Sequence, residues 1–135
     1  MTETVRATGS CLCGGVAFEV HGRLSEIIAC HCSQCRKTTG HFLPATRART
    51  DEIRFSSDET LRWYRSSPEA ERGFCGRCGG ALFWRPTGGE TTSIAAGSLD
   101  PPTGLSIREH IFCDDKSDYY ALTDGKPQHG GDDPG

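Results

Sequence analysis

Short runs in which apolar and polar residues alternate with a period of two recur along the chain, each bounded by glycine, proline or small polar residues. Val16, Phe18 and Val20 alternate with Ala17 and Glu19, which predicts a strand with those three side chains facing a core. Residues 24–29, with Ile27 and Ile28, predict a second strand that leads directly into a cysteine cluster at Cys30. Residues 33–39 suit a single helical turn that Gly40 ends. Three further strands are expected over residues 42–49, 53–55 and 61–64. The acidic and serine-rich turns between them read as a meander. Residues 81–84, 91–96 and 109–113 complete the strand candidates. The chain is therefore expected to be mainly β, with little helix.

Composition supports short strands joined by turns, because the 135 residues include 17 glycines and 7 prolines and only 35% are hydrophobic. That length suits one domain with a modest core. We expect residues 1–8 to be a flexible N-terminus, residues 9–127 one domain, and residues 128–135 a disordered tail with almost nothing to bury. Residues 1–10 hold no apolar signal-like segment, and no run approaches the eighteen or so apolar residues that span a bilayer. The chain reads as cytosolic, with no membrane partner.

The net charge of −3 argues against a protein held mainly by phosphate contacts, so nucleic acid is not an expected partner, even though Arg47, Arg49 and Arg54 are clustered. Twelve of the fifteen basic residues are arginines. Arginine forks suit carboxylates on small ligands, and a coding bias accounts for the excess equally well.

Eight cysteines in a reducing compartment point to metal ligation rather than disulfides. Cys11-Leu12-Cys13 and Cys75-Gly76-Arg77-Cys78 are short pairs, each followed by glycines and then by a predicted strand. Together these two knuckles offer the four thiolates that a closed tetrahedral zinc site needs; disulfides or an iron site are the competing readings. Cys30-His31-Cys32-Ser33-Gln34-Cys35 supplies three more thiolates, with no obvious fourth. Catalytic zinc sites commonly keep three protein ligands and one position for water or substrate. Three thiolates leave a zinc centre with a formal charge of −1, so it should acidify water less than a three-histidine site does, yet it can still bind an incoming thiol as thiolate and hold it as a nucleophile. Closure of this site by Cys113 or a histidine would make it structural instead. His31 points away from its neighbours if the segment is extended, whereas His41 and His110 stand as possible ligands or acid–base groups.

Four segments together resemble the glutathione-dependent formaldehyde-activating enzyme family, which includes centromere protein V. They are Gly9-Ser10-Cys11-Leu12-Cys13-Gly14-Gly15-Val16, Cys30-His31-Cys32-Ser33-Gln34-Cys35-Arg36-Lys37, Phe74-Cys75-Gly76-Arg77-Cys78-Gly79 and Gly97-Ser98-Leu99-Asp100. The resemblance runs from about residue 9 to 127 and includes all seven cysteines of the family pattern. It implies an Mss4-like fold of stacked antiparallel sheets built around zinc knuckles. It implies a structural zinc on Cys11, Cys13, Cys75 and Cys78, and a second zinc on Cys30, Cys32 and Cys35, which would be the catalytic residues. The activity implied is carbon–sulfur lyase chemistry, the addition of glutathione to formaldehyde, with a small-molecule thiol such as glutathione as partner. The alternative is a non-enzymatic interaction module with two structural zincs.

Overall fold

The computed structural model describes residues 4–132 and is mainly β, arranged as two stacked sheets. The smaller sheet has three strands, β1 (Ala7–Ser10), β2 (Val16–Val20) and β5 (Ile53–Asp58), in the order β1-β2-β5. The larger contains β3 (Ile27–Cys30), β4 (Leu43–Arg49), β6 (Leu61–Ser67), β7 (Ala70–Cys75), β8 (Ala81–Pro86), β9 (Thr91–Ala95) and β10 (Ile107–Ile111). Its order is β10-β3-β4-β9-β8-β7-β6, and every pairing is antiparallel except that of β10 with β3. The helix α1 (Ser33–Thr39) starts at Cys32 and ends at Gly40, whose backbone N–H bonds Arg36. None of the described helices is long and apolar enough to cross a membrane.

The period-two reading of β2 holds: Val16, Phe18 and Val20 are buried and the residues between them are not. They form the core with Ala48, Leu82, Phe83 and Ile94 of the larger sheet. Phe83 is the hub of this core, edge-on to Phe18 at 5.2 Å and to Phe55 at 5.7 Å and stacked on Trp63 at 6.0 Å. Such aromatic pairs add roughly 0.5–1.5 kcal/mol each beyond their buried area.

The expected meander over residues 42–64 is not what forms. β4 pairs with β9 in the larger sheet, β5 crosses to the smaller sheet against β2, and β6 returns to the larger sheet's edge. The crossing brings Phe55 opposite Phe18, in reach of Phe83. The consecutive antiparallel run is instead β6 to β9.

Described residues near each end of the chain hydrogen-bond to the sheets. Arg6 N–H bonds the Val20 carbonyl at 2.7 Å and Ala7 opens β1, so residues 6–8 extend the smaller sheet; residues 1–3 lie outside the described residues. Residues 127–131 lie parallel to β10, with His110 N–H bonding Pro127 and Phe112 N–H bonding Gly131. His129 Nε2 also meets Glu109 at 2.9 Å. The tail has little to bury, but it satisfies the backbone groups of an edge strand, which need partners or water. Residues 133–135 lie outside the described residues.

Candidate metal centres

The knuckle preceding β2 and the knuckle between β7 and β8 turn their cysteines toward one another. Gly14 and Gly79 hold the same left-handed backbone conformation, with φ of 79° and 81°, at which a side chain would be strained. The sulfurs of Cys11, Cys13, Cys75 and Cys78 all lie within 4.8 Å of one another. Cys13 Sγ stands 3.7 Å from Cys11 Sγ and 3.6 Å from Cys75 Sγ. A tetrahedral metal with bonds of about 2.3 Å to sulfur, the zinc–thiolate length, needs sulfurs about 3.8 Å apart, so this donor set fits such an ion.

The backbone prepares these sulfurs for negative charge. Cys75 Sγ accepts from the N–H of Cys78 at 3.2 Å and of Arg77 at 3.3 Å, and lies 3.1 Å from the Thr60 hydroxyl. The Cys78 N–H, then the Thr60 hydroxyl, hold the Cys75 thiol down to about 5. Cys13 is also lowered, by the Gly15 N–H and then by Arg77, whose Nε donates to it at 3.3 Å. Burial pushes the Cys11 thiol up instead.

Cys30, Cys32 and Cys35 form a second group whose sulfurs also lie within 4.8 Å of one another. β3 delivers Cys30, while Cys32 caps α1 and accepts the Cys35 N–H at 3.3 Å. The three thiols share protons unequally: hydrogen bonds with Cys30 and then Cys35 draw Cys32 well below the usual thiol range, and the bond with Cys32 drives Cys30 well above it. Among the described residues no fourth histidine, cysteine, aspartate or glutamate joins the group, and Cys113 is not part of it.

Arg72 of β7 packs against this group. Its Nη2 donates to Cys35 Sγ at 3.6 Å and to Gln34 Oε1 at 3.4 Å, its Nε has no hydrogen-bond partner, and the residue is only 9% exposed. Arg72 also lines a cavity of about 260 Å³, walled mainly by apolar residues including Leu43, Leu82, Phe83 and Trp84.

A hydrogen-bond chain with two buried histidines at its centre starts from His31, between Cys30 and Cys32, and reaches the surface at Asp124. His31 Nδ1 meets the Tyr120 hydroxyl at 2.5 Å, His31 Nε2 meets His110 Nδ1 at 2.9 Å, and His110 Nε2 meets Asp124 at 2.8 Å. Burial, with His110 and Lys116 close by, lowers His31 to about 4 and keeps it neutral. With an ionised Asp124 accepting from His110 Nε2–H, each further nitrogen is assigned in turn: His31 Nε2–H donates to His110, and Tyr120 O–H donates to His31 Nδ1.

The family model described as glutathione-dependent formaldehyde-activating enzyme matches residues 6–115. The chain belongs to this family. It is 29% identical over 113 residues to an uncharacterized lyase of Schizosaccharomyces pombe, covering 83% of this chain and 82% of that relative. A Rhodobacter sphaeroides protein of known crystal structure is 28% identical and superposes with a TM-score of 0.58, over 70% of this chain and 88% of its own.

In this member of the glutathione-dependent formaldehyde-activating family, the seven cysteines of the pattern meet in the four-plus-three grouping expected from their spacing. His31 faces away from the sulfurs, into the Tyr120–Asp124 chain. His110, expected as a ligand or acid–base group, is 2% exposed and engaged between His31 and Asp124, and His41 bonds Tyr119 at 2.5 Å. Arg72 was not legible: residues 70–75 were not among the expected strands, and nothing local signals that Gln34 and Cys35 of α1 meet it.

Proposed function

We propose that the chain forms or cleaves the carbon–sulfur bond of a glutathione-type thiol adduct, at a zinc held by Cys30, Cys32 and Cys35. On this reading Cys11, Cys13, Cys75 and Cys78 hold a second zinc that is structural. The observation that carries the reading is the contrast between a four-sulfur group and a three-sulfur group that no other ligand atom joins among the described residues. The family and the lyase-named relative support the same class of chemistry.

Zinc at such a site supplies a Lewis acid that favours a thiol's anionic form. In cleavage of an adduct RS–CH₂OH the carbon–sulfur bond breaks, its electron pair leaves on sulfur, and the hydroxyl proton passes to solvent water as the carbonyl forms; synthesis is the reverse. Three thiolates and a divalent ion carry a formal charge of −1, which opposes a further anion. Arg72 sets a positive charge beside Cys35 in a buried position, where charges interact more strongly than in water. The centre plus Arg72 is then neutral and tolerates one thiolate more. Reduced cysteines of this kind persist in a reducing compartment, consistent with a cytosolic protein.

Metal analysis of the native protein is expected to give near two equivalents of zinc. With cobalt substituted for zinc, titration with glutathione is expected to shift the thiolate-to-cobalt absorption, and Cys32→Ser should bind one equivalent and lose the shift while staying folded. An unchanged cobalt spectrum on adding glutathione would overturn the reading.

A further inference from the structure

The cavity lined by Arg72 is larger and less polar than a one-carbon adduct requires. A hydroxymethyl group has two heavy atoms and fills roughly the space of two waters, about 60 Å³. The cavity measures about 260 Å³, and an apolar cavity of about 150 Å³ is already enough to hold benzene. Glutathione itself does not suit these walls, because its two carboxylates and two amides would lose water with a single cation to meet them. What suits them is a group that is apolar through most of its length and carries sulfur at one end.

We propose, resting on the functional reading above, that this cavity receives the apolar substituent R′ of an adduct RS–CH(OH)–R′, with the sulfur at the Arg72–Cys35 end. The enzyme then acts on thiol adducts of aldehydes bulkier than formaldehyde. Three observations converge on this assignment. Arg72 belongs both to the cavity wall and to the second cysteine group, being 3.6 Å from Cys35 Sγ. Charge places the sulfur at that end, where a thiolate released on cleavage meets the guanidinium. The remaining wall, with Leu43, Leu82, Phe83 and Trp84, offers dispersion contacts and little hydrogen bonding. Cleavage balances as before: the carbon–sulfur bond breaks with its electron pair on sulfur, the hydroxyl proton passes to solvent water, and R′CHO departs.

The test compares glutathione, S-methylglutathione and S-benzylglutathione by calorimetric titration of the zinc-loaded full-length protein. Burial of the phenyl ring is expected to make the benzyl conjugate bind at least about tenfold more tightly than the methyl conjugate. Ala95→Leu, which adds bulk to the cavity wall, should reduce that ratio; if this variant does not fold, Ala81→Val makes the same test. A wild-type ratio near one, with glutathione still binding, overturns the inference alone. A large ratio that the filled-cavity variants leave unchanged also overturns it, because the benzyl group then sits elsewhere. If glutathione does not bind the wild type at all, the functional reading fails and the inference fails with it.

Discussion

His110 holds a position that its sequence neighbours do not announce. Its Nδ1 accepts from His31 and its Nε2 donates to Asp124, so removing the ring would strand a buried N–H on His31 and free a carboxylate. An unsatisfied buried donor costs about 1–3 kcal/mol. His110→Phe, close in volume and unable to bond, is therefore expected to lower the unfolding free energy by that amount, read in urea as a lower midpoint at an unchanged m-value. Because the chain ends on Tyr120 rather than on a sulfur, the same variant should keep its full complement of metal.

At the scale of elements, the inward face of β2 could be read from its alternation and the knuckle-to-strand joins from their glycines, since both depend on residues close in sequence, whereas β1 and β7 went unread. The destinations of β5 and of the tail could not be read. β5 is set by Phe55 meeting Phe18 and Phe83, contacts made across two sheets. The tail is set by the backbone of β10, whose outer edge carries no sequence signal at all. Truncation after Lys126 removes the partners of the His110 and Phe112 amides and the contact of His129 with Glu109. Those two amides are expected to exchange with solvent at least about tenfold faster in the truncated protein, as measured by hydrogen exchange, while amides of β7 and β8 stay protected.

For the molecule as a whole, the two cysteine groups carry different mechanical loads. Cys11 and Cys13 lie between the first two strands of the smaller sheet, and Cys75 and Cys78 lie at the β7–β8 turn of the larger, so the four-sulfur group fastens one sheet to the other. The three-sulfur group joins only β3 to the helix that follows it. The four-plus-three division was visible in the spacing, whereas the mechanical difference required knowing which strands share a sheet. On the proposed metal assignment, binding energy at the outer group is folding energy. Cys75→Ser is expected to lower the thermal midpoint by about 10 °C or more, and Cys35→Ser by clearly less, when both are followed by circular dichroism.

The separation of the outer cysteines along the chain also imposes an order in time. Cys13 and Cys75 are 62 positions apart, while Cys30, Cys32 and Cys35 fall within six. At about 5–20 residues per second of synthesis, the local trio is complete seconds before Cys78 is added. During that interval the first knuckle has two thiolates to offer an ion and the trio has three. On the proposed metal assignment, a nascent chain would therefore load the trio first, and the clasp between its sheets would close only afterwards.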